Sequence, residues 1–277
     1  MSQMLIFGMG YSAQHIANRL RARGWDVVGT SRSPSENQID FHDHTAVLRA
    51  MADSSHILST VPPESGANKD GDSDSGGDPV LALYGEALSL TPARWIGYLS
   101  STGVYGDVNG AWVDESAPIK GRRPARNAAD QAWQDLRSDV RVFRLPGIYG
   151  PQRSMLDRIR QGRAHRIDMS HQIFSRIHVD DLASGVIASF RGPAGVYNLA
   201  DDHPCPQNHL VEYGAALLGV DVPVLQNLEQ ANLSPAALAF YAENRRVANG
   251  RAKRLLGWQP RYADYRSGLT ACQQGLK

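Results

Sequence analysis

Gly8-Met9-Gly10-Tyr11-Ser12-Ala13 is the first run in the chain whose residue types and spacing point to chemistry. It follows the apolar residues 4–7 and precedes apolar residues at helical spacing (Ala13, Ile16, Ala17, Leu20), which places it where a strand turns into a helix. Gly8 permits the tight turn, and Gly10 removes a side chain where a pyrophosphate would meet the backbone. Ala13 is small enough for helix and strand to pack closely. Free N–H groups at the helix start, where Tyr11 and Ser12 lie, add roughly half a positive charge. The run is a candidate dinucleotide-phosphate cradle.

An Asp or Glu about 20 residues further on would accept hydrogen bonds from the ribose of NAD. No carboxylate lies between Val27 and Pro34, and Thr30-Ser31-Arg32 stands there instead. Arg32 can grip a 2′-phosphate through forked, charge-assisted hydrogen bonds, and Ser31 can add another. NADP is therefore favoured over NAD; the alternative is that Arg32 is a solvated loop residue.

These residues need a frame. Apolar runs at 5–7, 27–29, 57–61, 95–100, 140–145 and 196–199 read as strands and alternate with amphipathic helical patterns. Arg19, Arg21 and Arg23 cluster late in the first helix, and Gly24 closes it. The rhythm predicts an α/β fold with a Rossmann-type doubly wound parallel sheet and a small C-terminal substrate-capping lobe. The nucleotide-binding domain spans 1–149 with returns at about 174–200, rejoining the sheet near Ile177 and Val196; the cap takes 150–173 and 201–277. Segment 64–79 is acidic, rich in Gly and Ser and nearly devoid of apolar side chains, so a mobile loop is expected there.

A chain of 277 residues with a net charge of +1 has room for a core and a cap, but no overall field to attract nucleic acid or anionic membrane. Any anion site must be local. Two distant cysteines, Cys205 and Cys272, make no disulfide framework, and His203, Cys205 and His209 match no metal spacing, so no metal is expected. The opening residues lack a basic leader, and no apolar run approaches membrane-spanning length. A cytoplasmic protein is the expectation.

Four further segments resemble the extended short-chain dehydrogenase/reductase superfamily, the group that holds the NAD-dependent epimerases and dehydratases. Ser100-Ser101-Thr102-Gly103-Val104-Tyr105-Gly106 looks like its Ser/Thr motif, and Arg144-Leu145-Pro146-Gly147-Ile148-Tyr149-Gly150-Pro151 like its RPxxxYGP segment. Val179-Asp180-Asp181-Leu182-Ala183 and the closing strand at Val196-Tyr197-Asn198 follow in order. The resemblance spans nearly the whole chain. It implies that Ser101 hydrogen-bonds a substrate carbonyl and that Asp40 and Phe41 fall beside the adenine. It places Thr60, Val61 and Pro62 along the cofactor, with Pro146 and Ile148 near the nicotinamide.

The family's carbonyl chemistry uses a tyrosine and a lysine four residues later, the ammonium lowering the phenol pKa. This sequence has no YxxxK; alignment puts Arg122 at the tyrosine position and Arg126 at the lysine position. Arginine cannot exchange that proton near neutrality. Arg126 can still bind ribose or an anion, and Arg122, Arg123 and Arg126 together can hold a carboxylate or phosphate; the alternative is a solvated basic loop. Tyr105 is the nearest substitute phenol, although the resemblance gives it a structural place.

Other features read as structural. The basic run Arg158, Arg160, Arg163, His165 and Arg166 suits a solvent-facing helix end or, alternatively, a phosphorylated substrate. Asp180 and Asp181 are expected to cap the following helix, and residues 255–269 to pack the cap. The functional expectation is an NADP-binding oxidoreductase or epimerase/dehydratase-like enzyme for a small carbonyl or sugar-nucleotide-type substrate. The alternative is an inactive NADP-binding sensor or interaction module. A small-molecule partner, anionic in character where the arginines act, and a homodimer through 81–90 and 128–136 complete the expectations.

Overall fold

Alternation of apolar strands with amphipathic helices produces two βαβ units in the first 60 residues. The computed structural model describes residues 2–35, 38–64 and 77–275, so most of the loop expected at 64–79 lies outside the described residues. Strand β1 (Gln3–Phe7) leads through α1 (Tyr11–Arg21) to β2 (Asp26–Ser31), and β3 (Gln38–Asp40) leads through α2 (His44–Asp53) to β4 (His56–Ser59). Helix α3 (Pro79–Leu90) precedes β5 (Trp95–Ser101), and α4 (Pro124–Leu136) precedes β7 (Val140–Leu145) after the short β6 (Trp112–Val113). Strand β8 (Gly147–Tyr149), α5 (Met155–Arg160), β9 (Arg166–Ile167), β10 (Arg176–His178) and α6 (Val179–Ala188) lead to β11 (Gly195–Asn198). The rest comprises α7 (Gln207–Leu218), β12 (Leu225–Gln226), α8 (Pro235–Tyr241), β13 (Arg246–Val247), α9 (Gly250–Leu256) and α10 (Tyr265–Gln274).

Seven strands form one parallel sheet in the order β11-β7-β5-β4-β1-β2-β3. Strand order reverses between β1 and β4, and in such sheets the crevice beyond the carboxyl ends at that point receives the ligand. The two faces carry separate cores: Ile16, Leu20, Phe143 and Leu182 on one, Val47, Tyr84, Leu88 and Trp133 on the other. A third cluster around Leu156, Leu210, Val211 and Leu269 holds the cap together. Among the described residues no helix is long and apolar enough to cross a membrane.

Several sequence expectations are corrected. Ile177 pairs with Ile148 in a separate two-stranded ladder instead of rejoining the main sheet, because β11 already occupies the edge beside β7. The fourth strand stops at Ser59, and Asp78 and Pro79 belong to α3 as its cap and first residue. His178 caps α6 through Nδ1, which accepts from the Asp180 N–H at 3.2 Å. Asp181 instead accepts from the Arg261 and Tyr262 N–H groups at 2.8 and 2.9 Å, fastening the C-terminal segment. Trp258 packs into the main core, not the cap.

Candidate functional site

The glycine turn crosses the carboxyl ends of β1, β2 and β4. Gly8 has φ +82°, and a Cβ there would stand 3.0 Å from Val61 Cγ2, so only glycine fits without strain. Its N–H donates to Thr30 Oγ1 at 3.3 Å and its carbonyl accepts from Thr60 Oγ1 at 2.8 Å, tying the turn to both neighbouring strands. Gly10 is the N-cap of α1 and no side chain caps it. A Cβ on Gly10 would meet nothing within 4 Å, so its lack of a side chain serves no packing within the protein. Open space above uncapped helix N–H groups fits a pyrophosphate. Ala13 is fully buried against the sheet.

Around this turn Ser31 hydrogen-bonds within the loop to Ser33, and Arg32 is exposed, with no ion pair among the described residues. Asp40 ends β3, where its Oδ1 accepts from the His42 N–H at 2.9 Å. Phe41 points away from the crevice. It is buried against Phe7 and Tyr84, so the side chain is core. Thr60 and Val61 are half-buried beside Gly8 and Pro62 is exposed. Tyr11 bridges to the opposite wall, its hydroxyl donating to the Pro151 carbonyl at 3.0 Å. Pro146 and Ile148, in the same segment as Pro151, are both half-buried.

Ser101 ends β5, half-buried, and its Oγ accepts from the Gly103 N–H at 3.1 Å. The hydroxyl hydrogen stays free to donate. Behind it, Ser100 Oγ donates to Asp130 Oδ2 at 2.5 Å, and Arg144 forks onto Asp130 through Nε (3.1 Å) and Nη2 (2.7 Å). Both charges are almost completely buried. Burial disfavours the Arg144 cation, but the Asp130 hydrogen bonds and charge outweigh it and raise its pKa. Tyr105 belongs to the same network: its hydroxyl donates to Asn198 Oδ1 at 2.7 Å and accepts from Arg144 Nη1 at 3.2 Å. Burial raises the Tyr105 phenol. It is thus placed as a structural group, away from solvent.

Arg122, at the position of the family's tyrosine, is committed to the cap. Its Nε meets Glu243 Oε1 at 3.0 Å and its Nη2 donates to the Ala239 carbonyl at 2.6 Å. Arg126 is half-buried in the first turn of α4. The sequence reading missed Glu243 and Arg245, which the fold carries to the mouth of this cleft. Their only sequence signal is a charged tract, 243–246, without helical spacing. In the basic run, Arg166 pairs with Glu212 and Arg158 reaches the Arg163 carbonyl.

No family model matches the sequence. The chain has the fold of solved epimerases and dehydratases, and its sequence holds no YxxxK motif. Human epimerase family protein SDR39U1, solved with NADPH, shares the fold at 19% identity and a TM-score of 0.75, covering 98% of this chain and 99% of that one. The chain belongs to the family of a functionally unknown conserved protein from Silicibacter pomeroyi, whose solved structure is 37% identical over 100% of both chains with a TM-score of 0.88. A curated relative, the 3-diazoavenalumate denitrifying reductase of a Streptomyces species, is 26% identical over 94% of this chain and 96% of its own.

Proposed function

We propose that this chain is an NADP-dependent oxidoreductase, or an epimerase/dehydratase-like enzyme, acting on a small carbonyl-bearing substrate through altered proton chemistry. The observation that carries the cofactor reading is the empty volume at Gly10, above the uncapped start of α1. Gly8, Gly10, Tyr11, Ser12 and Ala13 hold the pyrophosphate. Ser31 and Arg32 take the 2′-phosphate, Asp40 and the Phe41 backbone flank the adenine, and Thr60 to Pro62 line the crevice. Arg126, Pro146 and Ile148 approach the ribose and nicotinamide.

Carbonyl reduction takes a hydride and a proton. NADPH supplies the hydride when bound. Ser101 donates a hydrogen bond to the carbonyl oxygen, and water supplies the proton that completes the alcohol, since Tyr105 and Arg122 are occupied elsewhere. The reductase named among the relatives supports the redox half of this reading. The commitment of Arg122 to Glu243 favours a second reading, an NADP-binding sensor without turnover.

Titration with NADPH and NADH by fluorescence, followed by turnover against carbonyl and sugar-nucleotide panels, decides between them. NADPH is expected to bind tighter, and Arg32→Asp to weaken it by about 1–3 kcal/mol while barely changing NADH. Equal losses for both cofactors would remove the phosphate assignment. Tight binding without turnover would favour the sensor, and failure to bind either cofactor would end the cofactor reading.

A further inference from the structure

Four guanidinium groups gather at the mouth of the Ser101 cleft. Arg122 precedes α4, Arg123 is its N-cap and Arg126 lies in its first turn, while Arg245 comes from the segment before β13. Among the described residues, Glu243 is the carboxylate paired with them: Oε1 meets Arg122 Nε at 3.0 Å and Oε2 meets Arg245 Nη1 at 2.7 Å. With Asp107, which accepts from the Asn244 N–H, two negative charges stand against four positive ones and leave a local excess in a chain of net charge +1. Burial, then Arg126 and Arg122, push the Arg123 pKa down, with Glu243 opposing. Crowding of like charges costs stability, and an incoming anion relieves that cost.

Arg245 also faces the reaction centre. Its Nη2 lies 4.0 Å from the point where a Cβ on Gly103 would stand, and Ser101 Oγ lies 3.3 Å from the same point. Gly103 does not have the positive φ that favours glycine. The missing side chain therefore leaves an opening flanked by a hydroxyl and a guanidinium. Asn244 holds Arg245 there. Its N–H donates to Asp107 Oδ1 at 2.7 Å, its carbonyl accepts from the Val108 and Gly110 N–H groups, and its side chain joins His171 and Ile173. Arg245 Nη1 adds a bond to the Gly106 carbonyl at 2.7 Å.

We propose that this cluster is the recognition site for a carboxylate or phosphate group of the substrate, held by Arg123 and Arg245 with Arg126 beside them. It sets an anionic small molecule against Ser101, with Arg122 committed to bracing the cap through Glu243. This deepens the enzyme reading above and rests on it for the role of Ser101.

The test is calorimetric titration of the full chain with inorganic phosphate and, separately, with benzoate, both with saturating NADPH and without it. At least one anion is expected to bind in the presence of NADPH. Arg123→Gln and Arg245→Gln should each weaken it by about tenfold or more, the loss of one charge-assisted contact, whereas Arg245→Lys keeps most of it and a change at the exposed Arg191, Arg191→Gln, leaves it unchanged. Arg123 makes no hydrogen bond through its side chain among the described residues, so Arg123→Gln remains informative if Arg245→Gln disturbs the cap. Binding of phosphate alone assigns a phosphorylated substrate; binding of benzoate assigns a carboxylic acid. Absence of binding by either anion, or binding unchanged in both glutamine variants, overturns the proposal. Anion binding that depends on Arg123 in a protein that ignores NADPH would defeat the cofactor reading alone.

Discussion

Gly8 and Gly10 are two residues apart and are glycine for different reasons. Gly8 serves the fold: its φ of +82° and the nearness of Val61 Cγ2 mean that Gly8→Ala should cost about 1–2 kcal/mol of stability. Gly10 has no such constraint: the space where its Cβ would stand is open, and the proposed phosphate cradle would use that space. Gly10→Val should therefore weaken NADPH binding by about a hundredfold, roughly 3 kcal/mol, with a melting temperature close to that of the parent. Fluorescence titration and thermal unfolding of the two variants check this separation; a Gly10→Val protein that binds NADPH normally would show that the open space is not the phosphate cradle. Ser101 and Tyr105 part in the same manner. Both stand in one motif, yet one hydroxyl opens on the cleft while the other closes a buried chain of hydrogen bonds.

At the scale of elements, α3 and α4 lie together on one face of the sheet, and a single carboxylate joins them. Asp78 Oδ1 accepts from the Val80 and Leu81 N–H groups at 2.9 and 3.0 Å, and Oδ2 accepts from Trp133 Nε1 at 2.8 Å. Asp78→Ala removes a helix cap and leaves a buried indole N–H without an acceptor, at a cost of about 2–3 kcal/mol. Urea unfolding should show a lower midpoint with an unchanged slope; a variant as stable as the parent would mean that α3 does not depend on this cap. The main strands and the first helix were legible in the sequence because apolar spacing alone sets them. Strand β3, three residues long, was not, since its edge position demands little apolar character.

Across the whole molecule, buried titratable groups set the acid limit of stability. His56 sits among Trp25, Trp95 and Phe190, and burial, then Arg94 and Arg141, lower its pKa to about 4. An unfolded histidine titrates near 6.5. Between these values the native state binds fewer protons than the unfolded state, so stability is lost as pH falls through the window, by about 2–3 kcal/mol. Asp201, raised to about 7 by burial, acts in the opposite direction, so the informative comparison is with His56→Leu at each pH. The melting temperature of the variant should fall less than that of the parent between pH 6.5 and pH 4; parallel curves would remove His56 from the account.

Sequence alone determined most strands of the sheet, the glycine turn and the missing Tyr–Lys pair, because periodicity, turn chemistry and residue identity are local properties of the chain. Tertiary structure decided what the polar residues do. Arg122 and Glu243 lie 121 positions apart and meet only after the cap folds over β5. Phe41 turned into the core, Asp181 took the C-terminal segment in place of its helix, and Arg245 reached the cleft beside Ser101. The physical reason is common to all four: a charged or aromatic side chain has several partners of similar energy, and which one it takes depends on which elements the fold brings within a few ångströms.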